Sequence, residues 1–117
     1  MPGCNIMSGS VITNDVHIGR GVLINPGCTV SHDSRIGDFV ELSPGVHVTG
    51  GVTVGRFCSI GTGAVLLPRV TLGDNVVVGA GSVVTKDVEA NRVVVGVPAR
   101  VIRELEPVSI EDDARAK

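Results

Sequence analysis

The chain has 117 residues, a net charge of −2, sixteen Gly, two Phe and neither Trp nor Tyr. That size allows one domain at most, and the scattered basic residues exclude a protein built to coat nucleic acid. Three cysteines without CxxC spacing exclude a disulfide framework and argue against a zinc site, and no apolar run is long enough to span a bilayer.

A repeat begins almost at once. Every sixth residue from Ile6 is aliphatic: Ile6, Ile12, Ile18, Ile24, Val30, Ile36 and so on to Val84, fourteen places without a slip. Four places after each stands a small or β-branched residue, from Ser10 and Val16 to Ser82 and Val88. Two such positions flanking one outward residue have the alternation of a β-strand. The fourth place of each hexad is Gly, Asn or Asp in eleven of fourteen cases. Those types tolerate positive φ, so a tight corner is predicted there.

Three strand-corner units close a triangle, which makes one coil eighteen residues. Residues 6–89 hold fourteen hexads, 84/18 or about 4.7 coils, and at about 4.8 Å per coil the prism is about 22 Å tall. The fold class is therefore all-β, a parallel β-helix of hexapeptide repeats. Cys28 and Cys58 fall on the small inward places and Cys4 is in phase with them, so all three read as buried thiols used as small hydrophobes.

In the second coil VSHDSRIGD places His32 at a third, outward corner place. Asn14 lies one coil before it; Gly50, Pro68 and Lys86 lie one, two and three coils after. Asp33 stacks above Asp15 and beneath Gly51. A neutral histidine can take a proton from an amine or hydroxyl, a nearby backbone N–H can stabilise an oxyanion, and an adjacent carboxylate can hold the ring's tautomer. These parts suit acyl transfer. A corner already favours Asp at position 33, and a single surface histidine is more often inert. His17 and His47 lie fifteen residues either side of His32 and do not stack with it, so the spacing offers no metal site.

The clock is read as stopping after Val88. Residues 90–107 form a capping segment in which PARVIRELE, with Pro98 at its first turn, is predicted as a short helix over the last coil's open edge. Residues 108–117 read as a disordered tail.

The runs IGRGVL, IGDFVE, VGRFCS, IGTGAV, LGDNVV and VGAGSV resemble the hexapeptide-repeat acyltransferases of the left-handed β-helix superfamily. SHDSRIGDFVELSPGVHVTGGVTVG is similar, more narrowly, to the sialic-acid and bacillosamine type of sugar O- and N-acetyltransferases. The resemblance implies a left-handed coil and a homotrimer with active sites between prisms; the cytoplasm is the location expected from an opening without a signal-like charged and apolar region. It implies transfer of an acetyl group from acetyl-CoA to an amino sugar or sugar nucleotide, without a metal. His32 would be the general base and Asp33 its orienting partner. Gly50, Gly51 and Pro68, with Val97 and Pro98 of the closing GVPARVI, would contact acetyl-CoA; Asn14 and Glu41 would contact the acceptor. Glu41 stands where some relatives carry a second histidine. Such relatives usually carry an N-terminal sugar-nucleotide-binding domain, whereas this chain begins almost at the first coil, as a truncated form or a non-catalytic trimeric scaffold would. An ice-binding solenoid would want flat outward Thr arrays, which the mixed outward residues do not provide.

Overall fold

A computed structural model describes residues 3–107. The predicted tail lies outside the described residues. The first coil contributes β1 (Asn5–Ile6), β2 (Val11–Ile12) and β3 (His17–Ile18). The second adds β4 (Leu23–Ile24), β5 (Thr29–Val30) and β6 (Arg35–Ile36), and the third β7 (Glu41–Leu42), β8 (His47–Val48) and β9 (Thr53–Val54). Next come β10 (Ser59–Ile60), β11 (Val65–Leu66) and β12 (Thr71–Leu72), then β13 (Val77–Val78) and β14 (Val83–Val84). Every third strand stacks in parallel into one of three sheets, the walls of a left-handed triangular β-helix.

The register is eighteen residues throughout these strands, as in Leu23↔Glu41 and His47↔Val65. Outward strand residues donate N–H up the coil, so Leu23 bonds the Val40 carbonyl at 3.0 Å and Arg35 the Val52 carbonyl at 2.8 Å. The aliphatic first places from Ile24 to Val84 are buried and fill the prism. Thirteen of the fourteen fourth places have positive φ, including Phe39, Phe57 and Arg69, where glycine is absent. The corner therefore belongs to the backbone pattern, and residue type only follows it.

Four of the inward fifth places that carry a donor share one bond, while the Ser82 hydroxyl instead accepts from Gly96 N–H at 3.0 Å. Ser10, Cys28, Ser34 and Cys58 each donate to a carbonyl fifteen residues on: Asn25, Ser43, Thr49 and Gly73. A buried thiol thus does the work of a serine, filling space and satisfying a corner carbonyl. Burial pushes the Cys58 thiol up to about 11, with the backbone N–H of Val76 opposing and the nearby Asp74 charge adding to the shift.

Two features differ from the sequence reading. The clock slips by two before the end: Val88 pairs with Leu72 and Val93 with Val77, each sixteen residues apart. Val88 therefore takes a first-place role, and the Asp87 carboxylate accepts the Thr71 N–H at 2.9 Å where a backbone carbonyl would have served. The predicted helix over PARVIRELE is also absent. Residues Arg92–Gly96 form β15, which extends the sheet beyond β13, and Ala99–Glu104 form β16, antiparallel to it. The β-branched runs Val93–Val95 and Val101–Ile102 favour strands, and the sheet edge supplies backbone partners that a helix could not use. The reversal contains a cis Val97–Pro98 peptide, so Pro98 opens a strand reversal rather than a helix. Among the described residues no helix is long and apolar enough to cross a membrane.

Candidate active site

The corner between β5 and β6 carries His32 and Asp33. Asp33 is left-handed (φ 62°), a conformation that Asp tolerates better than most residues. This turn brings the two side chains together: His32 Nδ1 lies 3.1 Å from Asp33 Oδ2. A carboxylate only accepts, so Nδ1 carries the proton in the neutral ring and Nε2 keeps its lone pair. The side chains are 69% and 66% exposed, so the pair contributes little stability.

Nε2 faces the next coil. A Cβ built on Gly50 would lie 2.9 Å from His32 Cε1 and 3.0 Å from Nε2, so the bare glycine leaves room for the imidazole. Backbone bonds rise along the same edge: Asp33 N–H to Asn14 O at 3.3 Å, Gly51 N–H to His32 O at 2.9 Å and Arg69 N–H to Gly50 O at 3.0 Å. The Gly50 N–H is not engaged among the described residues. Its direction follows from another edge, where the third-place N–H groups of Arg20 and Arg56 donate to Asp38 Oδ1 and Asp74 Oδ1 one coil on. The residue one coil on from Gly50 is Pro68, whose side chain has no acceptor, so this amide remains available beside the ring.

His32, Asp33, Gly50, Gly51, Pro68 and Arg69 line a cleft of ≈ 740 Å³. Five of these were expected from the sequence. Arg69 was missed, although an arginine at a corner place that otherwise favours Gly, Asn or Asp was a readable signal.

The other expected residues lie elsewhere within one chain. Asn14 is in the same column, one coil below, and reaches the site through its carbonyl. Glu41 lies on β7, in the sheet that does not adjoin the His32 corner. Val97 and Pro98 are exposed between β15 and β16, on that same sheet. His17 and His47 do not converge with His32; His47 Nδ1 pairs with Thr29 Oγ1 at 2.8 Å. Among the described residues no group of three or more His, Cys, Asp or Glu could hold a metal ion.

The bacterial transferase hexapeptide family (six repeats) matches residues 33–67 and 55–86. Among solved structures, the chain is similar to PerB from Caulobacter crescentus, crystallised with CoA and GDP-perosamine: 32% identity, TM-score 0.76, covering 87% of this chain and 58% of that one. A maltose O-acetyltransferase from Clostridium difficile 630 is 34% identical, with TM-score 0.84 over 89% of this chain and 67% of the other. The acetyltransferase domain of PglB from Neisseria gonorrhoeae FA1090, in complex with acetyl coenzyme A, is 27% identical, with TM-score 0.70 over 86% and 58%. The chain thus spans just over half the length of PerB and of the PglB domain. No curated protein matches the sequence significantly. With the six-residue register, the left-handed corners and these likenesses in agreement, the chain belongs to the bacterial hexapeptide-repeat transferases.

Proposed function

We propose that this protein is an acetyl-CoA-dependent acetyltransferase acting on an amine or hydroxyl of an amino sugar or sugar nucleotide. The observation that carries the reading is the His32 ring, with Nδ1 committed to Asp33 and Nε2 turned to Gly50 beside an unengaged amide. PerB, crystallised with CoA and GDP-perosamine, and PglB, crystallised with acetyl coenzyme A, support the choice of donor and acceptor class.

In this reading His32 Nε2 takes the acceptor's proton as its nitrogen or oxygen attacks the thioester carbonyl. Asp33 holds the ring's tautomer and stabilises the imidazolium that forms. The Gly50 N–H receives the developing oxyanion. When the C–S bond breaks, the imidazolium returns the proton to the leaving sulfur. No covalent enzyme intermediate and no metal is needed, and fixed positioning in the cleft supplies much of the rate.

The cleft is open on the surface of one prism, and in our reading a cytoplasmic homotrimer closes it. Glu41, Val97 and Pro98, remote from His32 within one chain, would then approach a neighbouring subunit's cleft to contact acceptor or acetyl-CoA. Sedimentation tests the assembly, since a 12.0 kDa monomer in dilute solution removes that intersubunit site. The activity is tested by acceptor-dependent thiol release from acetyl-CoA across a panel of amino sugars and nucleotide-linked amino sugars. Release with at least one acceptor is expected. CoA binding without release for any acceptor would favour a non-catalytic trimeric scaffold.

A further inference from the structure

Arg69 is the one charged residue of the cleft lining without a part in the chemistry above, and three features bear on what it does there. It adopts a left-handed conformation (φ 66°), which costs a side-chain-bearing residue about 1 kcal/mol or more. Phe39 and Phe57 share that conformation at other corners, but they stack on each other with ring centroids 5.6 Å apart, so packing accounts for them. Arg69 has no such packing partner.

Its charge is also unanswered. Arg20 and Arg56 pair with Asp38 and Asp74, and Arg92 pairs with Glu89 and Glu104, whereas Arg35, Arg100 and Arg103 make no ion pair among the described residues but do not line the cleft. Arg69 makes no ion pair or side-chain hydrogen bond among the described residues.

Its direction is the third feature. Fourth-place side chains lean back over the preceding coil: Phe39 lies against Gly21, and Arg69 Cγ lies 3.4 Å from where a Cβ on Gly51 would stand. Gly51 is itself one coil above Asp33. The arginine therefore reaches down the edge over bare backbone, into the cleft that holds His32.

We propose that the Arg69 guanidinium anchors a phosphate of a reactant bound in the His32 cleft. A guanidinium matches phosphate oxygens with two parallel N–H bonds, and Arg69 brings one, unpaired within the described residues, over the bare backbone of Gly51 to the cleft. Both reactants of the proposed reaction can carry the group, as the diphosphate of CoA or that of a nucleotide-linked acceptor. The inference rests on the proposed function only in placing such reactants in this cleft.

The test is calorimetric titration of the full chain with CoA, UDP and GDP, comparing the parent with Arg69→Gly and Arg69→Lys. Glycine suits the left-handed corner, so Arg69→Gly retains the fold while removing the charge. At least one probe is expected to bind about tenfold or more weakly to Arg69→Gly, with Arg69→Lys in between. Loss confined to CoA places the donor's diphosphate at Arg69; loss confined to UDP or GDP places the acceptor's there. Arg69→Gly binding every probe within twofold of the parent overturns the inference while leaving the proposed reaction standing. A parent that binds none of the three overturns both.

Discussion

The imidazole of His32 occupies the space a side chain at Gly50 would fill, with Cε1 and Nε2 within 3.0 Å of the missing Cβ. The backbone of Gly50 has no positive φ, so alanine suits its conformation, and the exposed imidazole is the group that would move. Gly50→Ala is expected to unfold within about 0.5 kcal/mol of the parent while kcat/KM falls about 10²-fold. Equal losses of stability and activity would make Gly50 a folding residue instead.

Asp33 accepts from His32 Nδ1 and holds a left-handed corner, so its replacement must respect both roles. Asparagine tolerates the conformation and removes the charge. Asp33→Asn is expected to lower kcat about tenfold or more with an unchanged melting temperature. Turnover equal to the parent's would reduce Asp33 to a corner residue.

Ser34 is buried, donating from Oγ to Thr49 O at 2.9 Å and accepting from Val52 N–H at 3.2 Å. Ser34→Ala leaves both groups unpaired and is expected to cost about 1–3 kcal/mol in denaturant unfolding. Cys28 and Cys58 make the equivalent donation, so Ser34→Cys is expected to recover most of that loss. A cysteine variant no better than alanine would show that the bond contributes little.

The Cys58 thiol is raised from 9.0 to about 11 by burial. The unfolded chain therefore loses this proton first, and stability falls as pH rises through the interval between the two values. Below about pH 9 the contribution is fully present; by pH 11 roughly 2–3 kcal/mol is lost. Cys58→Ala, which puts at this inward place the residue that Ala64 already provides there, is expected to flatten that slope. An identical slope in both proteins would remove Cys58 as its source.

The coil was legible because each first-place residue, Ile24 or Leu42 for example, must face the same interior, so the burial period appears directly in the sequence. His32 above Asn14 and below Gly50 followed from arithmetic alone, since stacking at eighteen residues is fixed by the strand ladder. The two-residue slip was hidden because Val84 and Val88 satisfy the six-residue pattern whether or not the register holds. ARVIRE was misread because a short amphipathic run fits a helix as well as a strand, and only the open edge beyond β13 decides between them. Arg69 escaped because its residue type, though unusual at a corner, says nothing of the cleft that its side chain lines.

The central claim is that His32 removes the acceptor's proton. Its most direct test is single-turnover thiol release from acetyl-CoA by the parent and by His32→Ala, with CoA affinity measured alongside. The account predicts a fall in rate of about 10²–10⁴-fold with CoA affinity within twofold of the parent. An alanine variant that releases thiol as fast as the parent would contradict it.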